Sequence, residues 1–202
     1  MTFVTNILYW ISTAMMIPVI VLVILGFVWA LFLLGGFYGG YMARRRLEKT
    51  MDSIYGKLET QSAQDVDYAT VAKHHPALYD ALTRVERLEW NAVHAEKILS
   101  DFELQGEKHL EPSKLLMRLG PMLGLMGTLI PMGPALVGLA SGDIVSMAAN
   151  MQVAFATTVV GVFIGGVGYL TLLVKKRWFV QDVNSLQYII ESSVESPQYE
   201  TV

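Results

Sequence analysis

The stretch IPVIVLVILGFVWALFLLGGFYGGYMARRR (residues 17–46) decides how this chain folds. Its first 25 residues, Ile17 to Tyr41, are apolar or small and carry no charge, and Arg44, Arg45 and Arg46 close the run. A helix needs roughly 20 such residues to cross the hydrocarbon of a bilayer. Basic side chains flanking a span stay on the cytoplasmic side. The same sorting governs the whole chain. All 15 Lys and Arg residues lie in two blocks, Arg44 to Arg118 and Lys175 to Arg177, whereas residues 1–43 and 119–174 hold a single charged side chain, Asp143.

Two further apolar runs follow from this division. Leu119 to Ala140 makes a second span, opened by Lys114 and Arg118. Ile144 to Val174, closed by Lys175, Lys176 and Arg177, makes a third, longer than one crossing requires and so tilted or begun in the loop. Three crossings with their basic flanks inside place the N-terminus outside and the C-terminus in the cytoplasm. The link Ser141-Gly142-Asp143 is short, so residues 119–174 form a tight hairpin of spans two and three. No basic residue precedes the first apolar run, so a cleaved leader is not expected. Residues 1–13 carry Phe3, Ile7, Trp10 and Ile11 near helical spacing among Asn6, Ser12 and Thr13, the pattern of a short interfacial helix outside.

The remaining residues predict helices in the cytoplasm over 44–118 and 175–202. Met42 to Leu58 holds good helix formers with only Gly56 weak, so the first span (14–43) continues past the membrane. Glu59 to Asp67 reads as a polar loop. His74-His75-Pro76 marks a helix start, because the residue before proline avoids helical geometry. From there Ala81, Val85, Leu88, Ala92, Ala95, Leu99 and Phe102 recur at steps of four and three, a narrow seam that packs on the chain's own extended spans or on a neighbouring subunit. Gly106 is expected to break that helix and Glu111-Pro112-Ser113 to start another, running into span two. Past span three, Trp178, Phe179, Val183, Leu186, Ile189 and Ile190 continue a helix to about Val194, with a frayed tail beyond.

Several chemistries find no support. The chain has no cysteine, hence no disulfide or thiolate metal site. His74 and His75 are adjacent without a third ligand at metal spacing, and His94 and His109 are isolated. No basic patch is interleaved with aromatics as nucleic-acid binding requires. An enzyme is not expected either: the spans hold no paired carboxylates and no nucleophile with a base.

Two short stretches stand out instead. Span two reads Gly120-Pro-Met-Leu-Gly-Leu-Met-Gly-Thr128-Leu, and span three reads Ala154-Phe-Ala-Thr157-Thr158-Val-Val-Gly161. At helical spacing Pro121, Gly124 and Thr128 share a face, as do Ala154, Thr158, Gly161 and Gly165. Small faces let helices approach closely, and a threonine within a span commonly bonds the preceding turn, so packing alone accounts for either stretch by itself. Together, Pro-x-x-Gly-Leu-x-Gly-Thr and Thr-Thr-x-x-Gly in a three-span chain with this charge layout resemble the MotA/TolQ/ExbB proton-channel family. Three spans with an outside N-terminus are similar to its ExbB/TolQ branch.

The resemblance implies an all-α membrane protein whose three transmembrane helices extend into a cytoplasmic helical bundle, assembled as a ring-forming homo-oligomer, a pentamer in the family. The ring would sit in the cell (inner) membrane among lipid. It would surround a dimer of a single-span partner of the ExbD/TolR/MotB type, whose span carries an aspartate. Ion flow past that aspartate would move the partner. The implied roles are pore-facing hydroxyls for Thr128 and Thr158, shaping of span two for Pro121, Gly124 and Gly127, and packing of span three for Thr157 and Gly161. No cofactor is implied; the transported ion is H+ or Na+. Where many relatives carry glutamate, five residues before the second threonine, this chain has Val153, and the polar Gln152 beside it faces about 100° away.

The residues themselves support a shared ion path. Spans one and two lack an ionisable group, so a titrating carboxylate has to come from another chain. Asp143 is either a loop residue capping span three or a group receiving cations at the outer mouth. Pro131 and Pro134 are expected to kink or unwind the outer end of span two, as a structural or a vestibule feature. The competing reading is a membrane scaffold subunit that conducts nothing.

Overall fold

A computed structural model describes residues 2–58, 75–88 and 91–194, and among them every regular element is a helix. The helices are α1 (Thr2–Ala14), α2 (Met16–Leu58), α3 (Pro76–Arg87), α4 (Ala92–Ser141) and α5 (Ile144–Val194). The loop expected over Glu59–Asp67, His74 and the frayed tail lie outside the described residues. Three stretches are long and apolar enough to cross a membrane: Asn6–Met42, Val93–Ser141 and Ile144–Ser192. At 1.5 Å per residue, a 50-residue helix such as α4 measures about 75 Å along its axis, against about 30 Å of hydrocarbon. Each long helix therefore supplies one crossing and has length to spare. The chain divides into two compact units, Met1–Gly35 with Pro112–Leu173, and Gly36–Glu111 with Val174–Val202.

The first unit packs one stripe of α2 on the α4–α5 hairpin. Val19, Val23 and Ala30, spaced so that they share one face, are buried, the first two with Ile130 and the last with Leu116, Ile164 and Val167. Gly26 lies on the same stripe, where a Cβ would stand 3.3 Å from Ile164 Cδ1. Leu22, Leu25, Val28 and Phe32 turn outward, and Phe32 is 83% exposed. For a membrane helix that outward face meets lipid or a neighbour at no hydrophobic cost.

The hairpin turn has a local cause. Gly142 takes φ +76°, donates its N–H to Leu139 O at 3.2 Å, and lets Asp143 N–H reach back to Gly138 O at 2.8 Å. That pair of bonds ends α4 in a Schellman motif. The Asp143 carboxylate then accepts from Ser146 N–H at 3.0 Å and caps α5.

The second unit has its own core. Leu78, Ala81, Leu82 and Val85 of α3 meet Ala95 and Phe102 of α4 and Leu186, Ile189 and Ile190 of α5. The seam thus packs within its own chain. Proline at the first turn of α3 is tolerated, and the preceding His75 caps the helix, its Nδ1 accepting from Leu78 N–H at 3.1 Å.

Three sequence expectations are corrected here. The seam is not one helix: α3 ends at Arg87, Leu88 sits in a turn and is exposed, and Asn91 restarts the chain by accepting from Val93 N–H at 3.1 Å. Gly106 does not break a helix, nor does Pro112 begin one, because α4 runs unbroken through both. Gly106 is there for space, since a Cβ would come 1.9 Å from Phe179 Cε2. Of the two outcomes expected at Pro131 and Pro134, a kink or an unwound end, the unwinding does not occur: α4 stays helical to Ser141. Each proline removes one main-chain bond, and in a span neighbouring groups compensate for such losses; Pro131 is fully buried.

Candidate functional site

The site lies on the seam between α4 and α5 in the first unit. The two helices run antiparallel and touch through backbone. A Cβ on Gly168 would meet Met117 N at 2.4 Å, one on Gly120 would meet Gly165 N at 2.5 Å, and one on Gly161 would meet Gly124 Cα at 2.6 Å. Next along the seam, a Cβ on Gly127 would lie 2.5 Å from Thr157 Oγ1, and beyond it Gly138 faces Met147. Without a hydrophobic drive between helices in lipid, such close approach is what holds a hairpin shut. A buried polar contact pins one end: Thr171 Oγ1 lies 3.2 Å from Ser113 Oγ and also bonds Val167 O at 2.8 Å.

The residues singled out from the sequence fall into two groups on this seam. Gly124, Gly127, Gly161 and Thr157 are buried in it. Pro121 is exposed but sets its ring edge against Gly165, where a Cβ would come 2.7 Å from Pro121 Cδ. Thr128 and Thr158 stand at the seam's margin, partly exposed. Thr158 Cα is near Gly124, at 3.5 Å from where a Cβ would be, while Thr128 follows Gly124 by one turn. Asp143 is exposed at the hairpin turn, away from the seam's threonines in sequence and engaged in its cap.

The three threonine hydroxyls share one chemistry. Thr128 Oγ1 donates to Leu125 O at 2.7 Å, Thr158 Oγ1 to Ala154 O at 3.0 Å, and Thr157 Oγ1 lies 3.0 Å from both Val153 O and Ala154 O. With the proton committed to the helix, each oxygen keeps lone pairs free to accept. Thr157 is buried against Gly127, whereas Thr128 and Thr158 are partly exposed.

Sequence reasoning missed two features. Gly120 and Gly168 extend the backbone contact, and the spacing of Gly161, Gly165 and Gly168 by four and three residues was the available signal. It also missed a polar cluster in the second unit. The Asp182 carboxylate is buried, pairs with Arg44 Nη1, and lies 3.1 Å from His75 Nε2, while Arg44 Nη2 donates to Gln181 Oε1 at 3.0 Å. The signal for it was an acid on the apolar stripe of Trp178 and Leu186, one turn from each. Among the described residues no group of three or more His, Cys, Asp or Glu is arranged to hold a metal.

No curated protein and no solved structure matches the chain significantly. The profile of the MotA/TolQ/ExbB proton channel family matches residues 72–191, more than half of the sequence, including the whole seam and both threonine motifs. With three membrane-length helices and that match, the chain is a membrane protein that belongs to the MotA/TolQ/ExbB proton channel family.

Proposed function

We propose that this protein is the ion-conducting subunit of an energy-transducing motor of the three-span ExbB/TolQ kind, with the proton as the transported ion. Subunits assemble as a ring, a pentamer as in the family, in the inner membrane, with the N-terminus outside and the C-terminus cytoplasmic. The ring encloses a single-span partner dimer whose span carries an aspartate. The observation that carries this reading is a pair of hydroxyls on a glycine seam in a membrane region that lacks a carboxylate of its own, Asp143 at the turn apart. A proton needs a titrating group to cross hydrocarbon. Here only the partner provides one.

The hydroxyls meet both states of that acid in different ways. As oriented, Thr128 and Thr158 accept a hydrogen bond from a protonated carboxyl. To serve the ionised carboxylate, either hydroxyl turns its proton outward and gives up its carbonyl in the preceding turn. The cost of that turn biases the neutral acid at the ring wall, which suits a carboxyl crossing a low-dielectric gap. Membrane potential supplies about 2.3 kcal/mol per charge per 100 mV to drive the cycle.

The test is proton flux into liposomes holding the protein with its partner. Thr128→Val and Thr158→Val keep shape and remove the hydroxyl. Each should cut flux by up to about tenfold, the loss of one hydrogen bond to the neutral acid, with the ring intact by native mass spectrometry. Full flux in both variants sinks the assignment.

A further inference from the structure

The second unit holds a cavity of about 400 Å³, a size that fits a small ligand. Trp178, Phe179 and Phe102 give it an aromatic side. Trp178 is itself fixed by stacking on Phe37 at 5.6 Å, with Tyr41 tilted against it at 6.1 Å. Among the described residues its polar side carries two cations, Arg44 and Lys175, with His75, His109 and Gln105, against one acid, Asp182.

That acid is already engaged. Asp182 pairs with Arg44 Nη1 and His75 Nε2, while Lys175 makes no ion pair among the described residues. Arg44 has only 10% of its side chain exposed, and its Nε–H is buried without an acceptor among the described residues. Burial holds the Lys175 ammonium below its usual pKa. Arg44 and the desolvated Lys175 both line the cavity, two cations that suit an anion there.

We propose that this cavity binds a phosphate-bearing anion, held by Lys175 with Arg44 and His109 beside it, and that Trp178 and Phe179 cover an apolar part of the same ligand. Arginine and lysine together suit phosphate oxygens, one by directed N–H groups and the other as a point charge. The ligand is either an acidic phospholipid headgroup or a soluble phosphate ester. Position favours the lipid: Arg44 follows the apolar run 17–41 by three residues and Lys175 follows 144–174 by one, which is headgroup depth on the proposed topology. The site is independent of ion conduction and survives if the threonine assignment fails.

Native mass spectrometry of the full chain tests it, with dioleoyl phosphatidylglycerol, dioleoyl phosphatidylcholine and glycerol 1-phosphate added in turn. Arg44 is left alone because removing it would orphan Asp182. The expected result is saturable uptake of phosphatidylglycerol over phosphatidylcholine, weakened about tenfold by Lys175→Gln, the scale of one charge-assisted hydrogen bond. His109→Gln should weaken it too. Lys176→Gln removes the same charge from an exposed neighbour and should change nothing. Binding of glycerol 1-phosphate alone, with the same Lys175 dependence, identifies a soluble ester as the source. Equal losses in Lys175→Gln and Lys176→Gln, or no binding of either phosphate probe, overturn the proposal.

Discussion

Adding one methyl group at Gly161 tests whether backbone contact holds the α4–α5 hairpin. A Cβ there would lie 2.6 Å from Gly124 Cα, 2.7 Å from Gly120 O and 2.8 Å from Gly124 N, where ordinary contact begins at 3.4 Å. All three neighbours are main chain, so no rotamer change relieves the overlap. The helices must part by about 0.8 Å, a gap that forfeits a quarter to a half of each facing van der Waals contact. Overpacking of this kind costs about 1–3 kcal/mol. Against it, alanine is favoured over glycine within a helix by about 1 kcal/mol. Gly166 isolates that second effect, since it is exposed and a Cβ there would meet nothing within 4 Å. The difference between Gly161→Ala and Gly166→Ala is then the packing term alone. At about 2–4 °C per kcal/mol for a chain of this size, the two should melt about 2–12 °C apart, Gly161→Ala lower, by intrinsic tryptophan fluorescence in detergent. If Gly161→Ala melts as high as Gly166→Ala, the seam is looser than described and the reasoning is wrong.

Three further outcomes follow from the second unit, and the flux test of the two threonines stands beside them. Asp182→Ala strands Arg44 in a buried position and should cost about 3–5 kcal/mol of stability; adding Arg44→Met should recover most of it in the same melting assay, and an unrescued double variant would show the pair to be incidental. Gly106→Ala collides with the Phe179 ring and should destabilise by about 1–3 kcal/mol, with Phe179→Leu relieving the loss; if the second change makes matters worse, the ring is not the obstacle. Lys175 sets a pH effect. Its folded pKa lies below the usual 10.5, so between the two values the unfolded chain binds more protons and stability rises with pH. Lys175→Met should flatten that rise in melting curves recorded across the interval, and an identical slope in both proteins would rule out the desolvated lysine.

The sequence by itself determined the crossings, the hairpin and the family. Apolar run length and the placement of Arg44–Arg46, Lys114, Arg118 and Lys175–Arg177 are local properties, and the bilayer acts on each segment one at a time. Gly124, Thr128, Thr158 and Gly161 were likewise legible, because helical spacing turns small residues into a face. Contacts between distant segments were decided only by tertiary structure. Gly106 looks like a helix breaker until Phe179 is seen filling its missing Cβ, and Pro112 looks like a start until α4 is seen passing through it. The apolar period over Ala81–Phe102 runs on across a turn at Leu88, since periodicity records which side is buried and not whether the backbone is continuous. Asp182 finds Arg44 across 138 residues, a pairing that no local pattern encodes. Burial in a shared core forces such a charge to find a partner, and the fold alone chooses which one.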